Sequence, residues 1–170
     1  MDKNIPIDQN MIDYIFSHSE SLHKVQKKIL KFNDNLGKAK RLQISILQAN
    51  FLQFLIKAHK FKSCLEVGTF TGYSSLSMAL SLPKNGKVYA IDKDTKTNKI
   101  ALNFFKEAKV NNKIFIETNN GINALKKLVK SKKKFDLILI DADKESYIKY
   151  FNYAVQLISK RGIILIDNTL

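Results

Sequence analysis

Small and acidic residues follow two hydrophobic runs near the middle of this 170-residue chain, in an arrangement typical of a ligand site. Glu66 begins the segment Glu66–Ser74, which contains Gly68 and Gly72, and Asp92 ends a later hydrophobic run. The two glycines permit a tight turn and a close approach of the backbone to a ligand. A carboxylate at Asp92 can accept hydrogen bonds from both hydroxyls of a ribose. These residues predict a nucleoside ligand, and a tight strand-to-helix turn without any ligand is the alternative interpretation.

The same segment lacks the common signatures of phosphate binding. It does not follow the pattern G-x-G-x-x-G, and no Gly-Lys-Ser/Thr comes after its glycines. The acid Glu66 inside the segment would repel phosphate and attract a cation. S-adenosylmethionine combines adenosine with a sulfonium and an ammonium group and has no phosphate, so the residues predict this ligand.

Acidic and amide side chains also follow two later hydrophobic runs, which end in the letters DADK and DN. If these runs are neighbouring strands, the side-chain oxygens of Asp141, Asp167 and Asn168 converge. Such oxygens suit Mg²⁺, with Mn²⁺ or Ca²⁺ as alternatives. Two adjacent carboxylates would otherwise repel each other and raise one pKa, a penalty that a bound cation removes. The alternative is that acids at strand ends only cap helices, as Asp143 could do.

All of these residues fall at the ends of predicted strands. From Ser63 onward, short β-branched runs alternate with helical patterns. The predicted strands are Ser63–Gly68, Lys87–Asp92, Lys113–Thr118, Phe135–Asp141 and Ile163–Asp167. The predicted helices are Gly72–Leu82, Thr95–Lys109, Gly121–Lys130 and Ser146–Lys160, the last of which Gly162 would end. Apolar strands separated by helices predict a doubly wound α/β fold with a mostly parallel sheet, which binds ligands at the carboxyl ends of its strands.

The first third of the chain has a different pattern. It shows three helical stretches, roughly Asp8–Phe16, Ser19–Lys31 and Ser45–Ala58. We therefore predict an N-terminal helical segment over residues 1–60 that packs on the core or on a partner subunit. Residues 61–170 are predicted to form the α/β core that binds S-adenosylmethionine.

The composition is that of an ordinary globular protein, with 45% hydrophobic and 26% charged residues and one cysteine, which excludes an internal disulfide. No secretory signal is visible and no apolar run is long enough to span a membrane, so a cytoplasmic location without a membrane partner is expected.

The net charge of +14 is compatible with a nucleic-acid binder. However, arginine, whose planar fork suits bases and phosphates, occurs only at Arg41 and Arg161 among 29 basic residues. We interpret the charge as a solvated lysine surface and do not expect nucleic acid as a partner. An RNA methyltransferase is the alternative, although the Asn/Asp-Pro-Pro-Tyr motif of many base-methylating enzymes is replaced here by DADK.

Taken together, these motifs make the chain resemble the cation-dependent O-methyltransferases of the caffeoyl-CoA and catechol O-methyltransferase group. The resemblance covers Leu42–Leu170 and is carried by the segments GTFTGYS, DADK and DN. It implies the Rossmann-like fold of methyltransferases that use S-adenosylmethionine, and it implies Lys144 as a catalytic base, with Asp141 catalytic through the metal. The implied metal ligands are Asp141, Asp167 and Asn168. The implied cofactor-binding residues are Glu66, Gly68, Thr69, Ser74, Asp92, Asn120 near the adenine and Asp143 near the methionine end.

The chain also departs from that family. Relatives usually have Pro, Glu, Gly and Gln after the serine that Ser45 matches, whereas Ile46, Gln48, Ala49 and Asn50 stand at those positions here. Relatives also continue beyond the DN motif into a final antiparallel hairpin. We therefore expect a C-terminally incomplete core that lacks this hairpin and leaves its last strand at an open edge, which favours association. Because relatives are often dimers, a homodimer is expected.

The resemblance implies an enzyme that transfers a methyl group from S-adenosylmethionine to a hydroxyl of a catechol-like or phenylpropanoid-type small molecule, with help from a divalent cation. A cofactor-binding remnant without activity is a second alternative beside the RNA methyltransferase.

Overall fold

A five-stranded parallel sheet forms the centre of the computed structural model, which describes residues 8–169. The strands are β1 (Ser63–Val67), β2 (Lys87–Asp92), β3 (Ile114–Thr118), β4 (Phe135–Ile140) and β5 (Ile158–Ile166). Their order is β3-β2-β1-β4-β5, and every pair of neighbours is parallel. The predicted doubly wound α/β fold is confirmed. Residues 1–7, where the predicted N-terminal segment begins, and Leu170 lie outside the described part.

Helices cover both faces of the sheet. They are α1 (Gln9–His18), α2 (Lys24–Asp34), α3 (Ile46–His59), α4 (Tyr73–Ser81), α5 (Thr95–Glu107), α6 (Gly121–Lys130) and α7 (Tyr147–Leu157). A 3₁₀ helix spans Gly37–Leu42, and a shorter one spans Lys144–Ser146. Ser45, Asp94 and Asn120 start α3, α5 and α6 because each side chain accepts backbone N–H groups of the first turn. None of the described helices is long and apolar enough to cross a membrane.

The apolar core forms two layers because successive strand residues point to opposite faces. In β1, Cys64 packs in a layer with side chains of α2, α3, α4 and α5, whereas Leu65 packs in a layer with α6 and α7. Burial raises the pKa of the Cys64 thiol, as expected for a small apolar side chain in a core. Helices α2 and α3 contribute Val25, Ile29 and Leu52 to the first layer, whereas α1 has no buried residue.

The last part of the chain differs from the prediction. The predicted helix Ser146–Lys160 is present as α7, but its predicted end at Lys160 is wrong, because α7 ends at Leu157 and β5 begins at Ile158. Gly162 lies within the strand and does not end a helix. The register passes from Phe135↔Ile158 to Leu137↔Ile163, so the intervening residues of β5 form a bulge. A Cβ on Gly162 would lie 2.9 Å from the Asp136 carbonyl oxygen, so glycine fits this bulge. Among the described strands, β5 pairs only with β4 and stands at an edge, as expected.

Candidate functional site

Two adjoining cavities open at the carboxyl ends of the strands, where the candidate residues were predicted to lie. The first cavity has a volume of about 590 Å³ and the second about 850 Å³. The first is lined by the predicted residues Gly68, Asp92, Asn120, Asp141, Asp143, Lys144 and Asn168. The second is lined by Asp141, Asp167 and Asn168. Because Asp141 and Asn168 line both cavities, a ligand in one lies beside a ligand in the other.

Three of the predicted residues stand immediately after their strands rather than inside them. Gly68, Asp141 and Asp167 follow β1, β4 and β5, and each still donates its backbone N–H to a neighbouring strand. These bonds run to Ile91 at 2.9 Å, to Val67 at 2.9 Å and to Ile140 at 3.0 Å. The sheet ladder therefore fixes the backbone of these residues at the carboxyl ends of the strands, where Asp141 and Asp167 line the second cavity.

Glycine is required at the turn after β1. Gly68 has φ +99°, and a Cβ there would lie 1.8 Å from the carbonyl oxygen of Asp141. Gly72 has φ +87°, and a Cβ there would lie 2.6 Å from the ring of Phe105. Real Cβ atoms do not tolerate such distances, so both positions need a residue without a side chain. The close contact between Gly68 and Asp141 brings the β1 and β4 ends of the site together.

Asp92 holds the same turn from the end of β2. Its Oδ2 accepts the backbone N–H groups of Thr69 and Phe70, both at 2.9 Å, and its Oδ1 accepts that of Asp94 at 2.9 Å. Each carboxylate oxygen can accept further hydrogen bonds, and Asp92 lines the first cavity. Asp92 therefore both fixes the turn and offers acceptors to a bound ligand.

Glu66, Thr69 and Ser74 do not line the first cavity. All three are buried, and Glu66 is completely buried. The pKa of Glu66 is raised to about 7, because burial and the negative charges of Asp141 and Asp92 together outweigh the hydrogen bonds from Ser74 and Ser75, which lower it. Oε1 of Glu66 has no hydrogen-bond partner among the described residues. A buried carboxylate oxygen without a partner is costly, and a ligand cation or donor nearby would offset that cost.

The acid pair of the second cavity comes from neighbouring strands. Ile140 and Ile166 are register partners, so Asp141 and Asp167 stand side by side after them. Burial and the negative charge of Asp167 raise the pKa of Asp141 to about 6, while the charge of Lys144 lowers it. Residues 8–169 contain no cluster of three or more His, Cys, Asp or Glu side chains suited to a metal ion. The lining of the second cavity offers two carboxylates and the Asn168 amide as oxygen donors, and the repulsion of the Asp141 carboxylate by Asp167 fits a hard divalent cation.

Gln48 is a site residue that sequence reasoning missed. Its Nε2 donates to Oδ1 of Asp167 at 2.6 Å, and its Oε1 accepts the backbone N–H of Ser45 at 2.7 Å. The second bond fixes which way the amide points, so the donor end meets the carboxylate. The sequence signal was present in the spacing of Ser45 and Gln48, which is that of a capping box.

The two other polar residues of the DADK segment, Asp143 and Lys144, form hydrogen bonds with different parts of the chain. Nζ of Lys144 donates to the carbonyl oxygen of Asn168 at 2.6 Å. Oδ1 of Asp143 accepts the hydroxyl of Tyr150 at 2.6 Å. Burial raises the pKa of Asp143, but hydrogen bonds from Ser146 and Tyr150 outweigh it, and the net pKa is lowered. Asp143 is therefore held as a carboxylate in the lining of the first cavity.

Tyr150 is a second residue whose role the sequence did not reveal. Its helical spacing predicted core packing, and its side chain is indeed buried. Its ring also contacts Gly121, where a Cβ would lie 2.9 Å from it, and Tyr150 lines the first cavity. Asn120, just before Gly121, accepts the backbone N–H of Ile122 at 3.0 Å. Tyr150 thus connects the loops that follow β3 and β4.

Comparisons with known proteins show which family this chain is similar to. The model of a family described as O-methyltransferase matches residues 16–170. An Arabidopsis thaliana protein named for caffeoyl-CoA O-methyltransferase activity is 37% identical over 149 residues, covering 87% of this chain and 64% of its own length. The caffeoyl-CoA O-methyltransferase of Populus kitakamiensis is 40% identical over 136 residues, covering 79% of this chain and 58% of its own length. The chain thus spans less than two thirds of these two relatives.

A solved structure shows the same fold with a ligand. The O-methyltransferase of Bacillus cereus, in complex with SAH, superposes with a TM-score of 0.82 at 28% identity. The superposition covers 92% of this chain and 71% of that one.

Proposed function

Because this chain belongs to the O-methyltransferase family, we propose that it transfers a methyl group from S-adenosylmethionine to a hydroxyl of a small catechol-like or phenylpropanoid-type molecule, with help from a divalent cation. The observation that carries the proposal is the pair of adjoining cavities, one beside acids that fit a cation and the other beside a turn that fits a nucleoside. Because Asp141 and Asn168 line both cavities, a methyl donor bound in one would lie beside an acceptor bound in the other.

S-adenosylmethionine binds in the first cavity under this proposal. Asp92 accepts the ribose hydroxyls, Gly68 allows the backbone to approach the ligand, and Asn120 lies beside the adenine. Glu66, supported by Ser74, stabilises the ammonium group, which its unpartnered buried oxygen favours. Thr69 and Asp143 complete the set of cofactor-binding residues. The SAH complex of the Bacillus cereus relative supports the identity of this ligand.

Asp141, Asp167 and Asn168 are the proposed ligands of a divalent cation, with Mg²⁺ as the first candidate and Mn²⁺ or Ca²⁺ as alternatives. When bound, such a cation supplies Lewis acidity that lowers the pKa of an acceptor hydroxyl. The two carboxylates favour a cation because the negative charge of Asp167 opposes ionisation of Asp141. Gln48 keeps the Asp167 carboxylate in place through its amide hydrogen bond.

Lys144 is the proposed base. In its neutral form, Nζ accepts the proton of the acceptor hydroxyl. The hydroxyl oxygen forms a bond to the methyl carbon while the carbon–sulfur bond breaks, and S-adenosylhomocysteine leaves as a neutral thioether. The displacement is in line, so the residues that orient donor and acceptor supply much of the acceleration.

A radiolabelled-methyl assay against a panel of small catechols tests this function. We expect label transfer with Mg²⁺ and none after EDTA treatment. Asp141→Ala should lower turnover at least about a hundredfold while the affinity for S-adenosylmethionine, measured by calorimetry, stays within about threefold of wild type. Turnover that persists in EDTA would contradict the metal role, and cofactor binding without label transfer to any catechol would favour the inactive remnant. Salt-dependent binding of RNA with methyl transfer to it would favour the RNA methyltransferase. The homodimer and the cytoplasmic location stay predictions.

A further inference from the structure

The 3₁₀ helix over Gly37–Leu42 lines both cavities, and it is called the wall below. A 3₁₀ helix has three residues per turn, so residues three apart share a side. Leu36, Ala39 and Leu42 have that spacing, and all three line the first cavity. The wall therefore turns an apolar side toward the proposed cofactor.

The other sides of this helix are cationic. Lys38, Lys40 and Arg41 all line the second cavity, and Arg41 reaches the lining of the first as well. Lys40 is paired with Asp34 at 2.6 Å. Lys38 and Arg41 form no salt bridge with any acid among residues 8–169. Two positive charges without an internal partner thus face the cavity in which the acceptor would bind.

The charges of the second cavity are arranged as two opposed groups. Asp141 and Asp167 form its negative group. The next step rests on the proposed function, in which a divalent cation bound there would neutralise both carboxylates. The charge left in the lining would then be the positive group on the 3₁₀ helix. The guanidinium of Arg41 presents a planar fork that matches a carboxylate or a phosphate, and arginine is rare in this lysine-rich chain.

We propose that the methyl acceptor carries an anionic group, and that Arg41 and Lys38 bind this group while the reacting hydroxyls lie at the acid pair. The acceptors that fit this arrangement share an oxyanion attached to a dihydroxylated ring, and the oxyanion is either a carboxylate or a phosphate-type group. The 3₁₀ helix thereby selects acceptors by charge.

Binding measurements on three acceptors that share one ring test this assignment. They are 3,4-dihydroxybenzoate, 3,4-dihydroxyphenylphosphonate and the uncharged 3,4-dihydroxybenzamide. Dissociation constants are measured by calorimetry with Mg²⁺ and S-adenosylhomocysteine present, on wild type, Arg41→Gln, Lys38→Gln and the double variant. Lys126→Gln is the matched control, since Lys126 is exposed on α6 and lines neither cavity. The ring substituent also changes catechol acidity, so the deciding quantity is the anion-to-amide affinity ratio of each variant relative to wild type.

We expect the double variant to lose about tenfold in this ratio at low salt, each single variant to lose about threefold, and the control to keep the wild-type ratio. The loss should shrink at high ionic strength. A larger loss for the phosphonate than for the benzoate would identify the group as phosphate-type, and the reverse would identify a carboxylate. An unchanged ratio in the double variant, an equal loss in Lys126→Gln, or no binding of any of the three acceptors would overturn the assignment. Methyl transfer is measured in parallel, and its failure with an intact charge preference would contradict the proposed function alone.

Discussion

The loops after β1 and β2 and the loops after β4 and β5 form the two halves of the site, and they are stabilised in opposite ways. In the first half, the Asp92 carboxylate accepts three backbone N–H groups at 2.9 Å and fixes the turn. In the second half, Asp141 and Asp167 stand together and burial opposes the ionisation of Asp141. The first half is therefore formed without a ligand, whereas under the proposed function the second half would gain stability from a bound cation. Gly68 and Asp141 are the point at which the halves touch.

The largest expected effect comes from breaking that contact. Gly68→Ala places a methyl group against the Asp141 carbonyl oxygen at a positive φ, so the turn after β1 and the end of β4 must separate. We expect a loss of at least about 3 kcal/mol in the free energy of unfolding, together with loss of cofactor binding. Chemical denaturation and calorimetry measure the two effects. Gly37→Ala is the matched control, because it also has positive φ but nothing within 4 Å, and should cost about 1 kcal/mol. Equal losses in the two variants would contradict the close contact.

The second effect concerns Glu66, the buried acid of β1. Glu66 has its pKa raised from 4.5 to about 7, so the folded state holds a proton that the unfolded state releases between these values. The free energy of unfolding of the ligand-free protein should therefore fall as the pH rises from about 4.5 to 7. Glu66→Gln should remove the part of this decline that comes from Glu66 and leave the part that Asp141 contributes, whose pKa is raised to about 6. It should also stabilise the protein at pH 8 by about 3 kcal/mol while weakening S-adenosylmethionine binding.

Denaturation curves over a range of pH, with and without the ligand, measure both results. Glu107→Gln is the control, since Glu107 forms only an exposed ion pair with Lys28 and should change stability by less than about 0.5 kcal/mol. A wild-type stability that stays flat from pH 4.5 to 7 would be inconsistent with the buried acid.

A third effect isolates the second half. Gln48→Leu removes the amide that donates to Asp167, so the carboxylate loses its fixed orientation. We expect about tenfold weaker binding of Mn²⁺, measured by titration calorimetry, with S-adenosylmethionine binding unchanged. Ser45→Ala should lower stability by about 1 kcal/mol through the weakened cap of α3 and leave Mn²⁺ affinity unaltered. If Gln48→Leu bound Mn²⁺ as wild type does, Gln48 would have only its capping role.

The smallest effect is expected at Tyr150, which connects two loops of the first cavity. Tyr150→Phe removes the hydrogen bond to Asp143 but keeps the ring against Gly121. We expect about fivefold weaker binding of S-adenosylmethionine, with a free energy of unfolding lowered by about 1 kcal/mol. Tyr153→Phe removes a hydroxyl from the same helix at a residue that lines neither cavity, and should not change the affinity. Parallel changes in both variants would show that the effect is general to α7.

The sequence predicted the sheet and the convergence of residues at one edge because both follow from local patterns. Apolar runs separated by helical patterns identify parallel strands, and Gly68, Asp92, Asp141 and Asp167 stand where those strands end. It could not predict the start of β5, because Ile158 continues the apolar spacing of α7, residues 159–161 are polar, and only the pairing with β4 extends the strand. Gln48 and Tyr150 were missed for a similar reason. Each also serves a local role, as a capping residue or a core side chain, and its contact with the site comes from tertiary packing.

The hydrogen bond between Gln48 and Asp167 joins residues that are 119 positions apart, and this separation orders the assembly of the molecule. Consecutive βαβ units can build the part of the first cavity that the loops after β1, β2 and β3 line, because these loops are near one another in the sequence and close at low entropic cost. The second cavity is complete only when β5 has paired with β4 and the start of α3 contacts the residue that follows β5. Uptake of a divalent ion would therefore mark the last step of folding, and partly folded chains would acquire nucleoside affinity before they acquire affinity for metal.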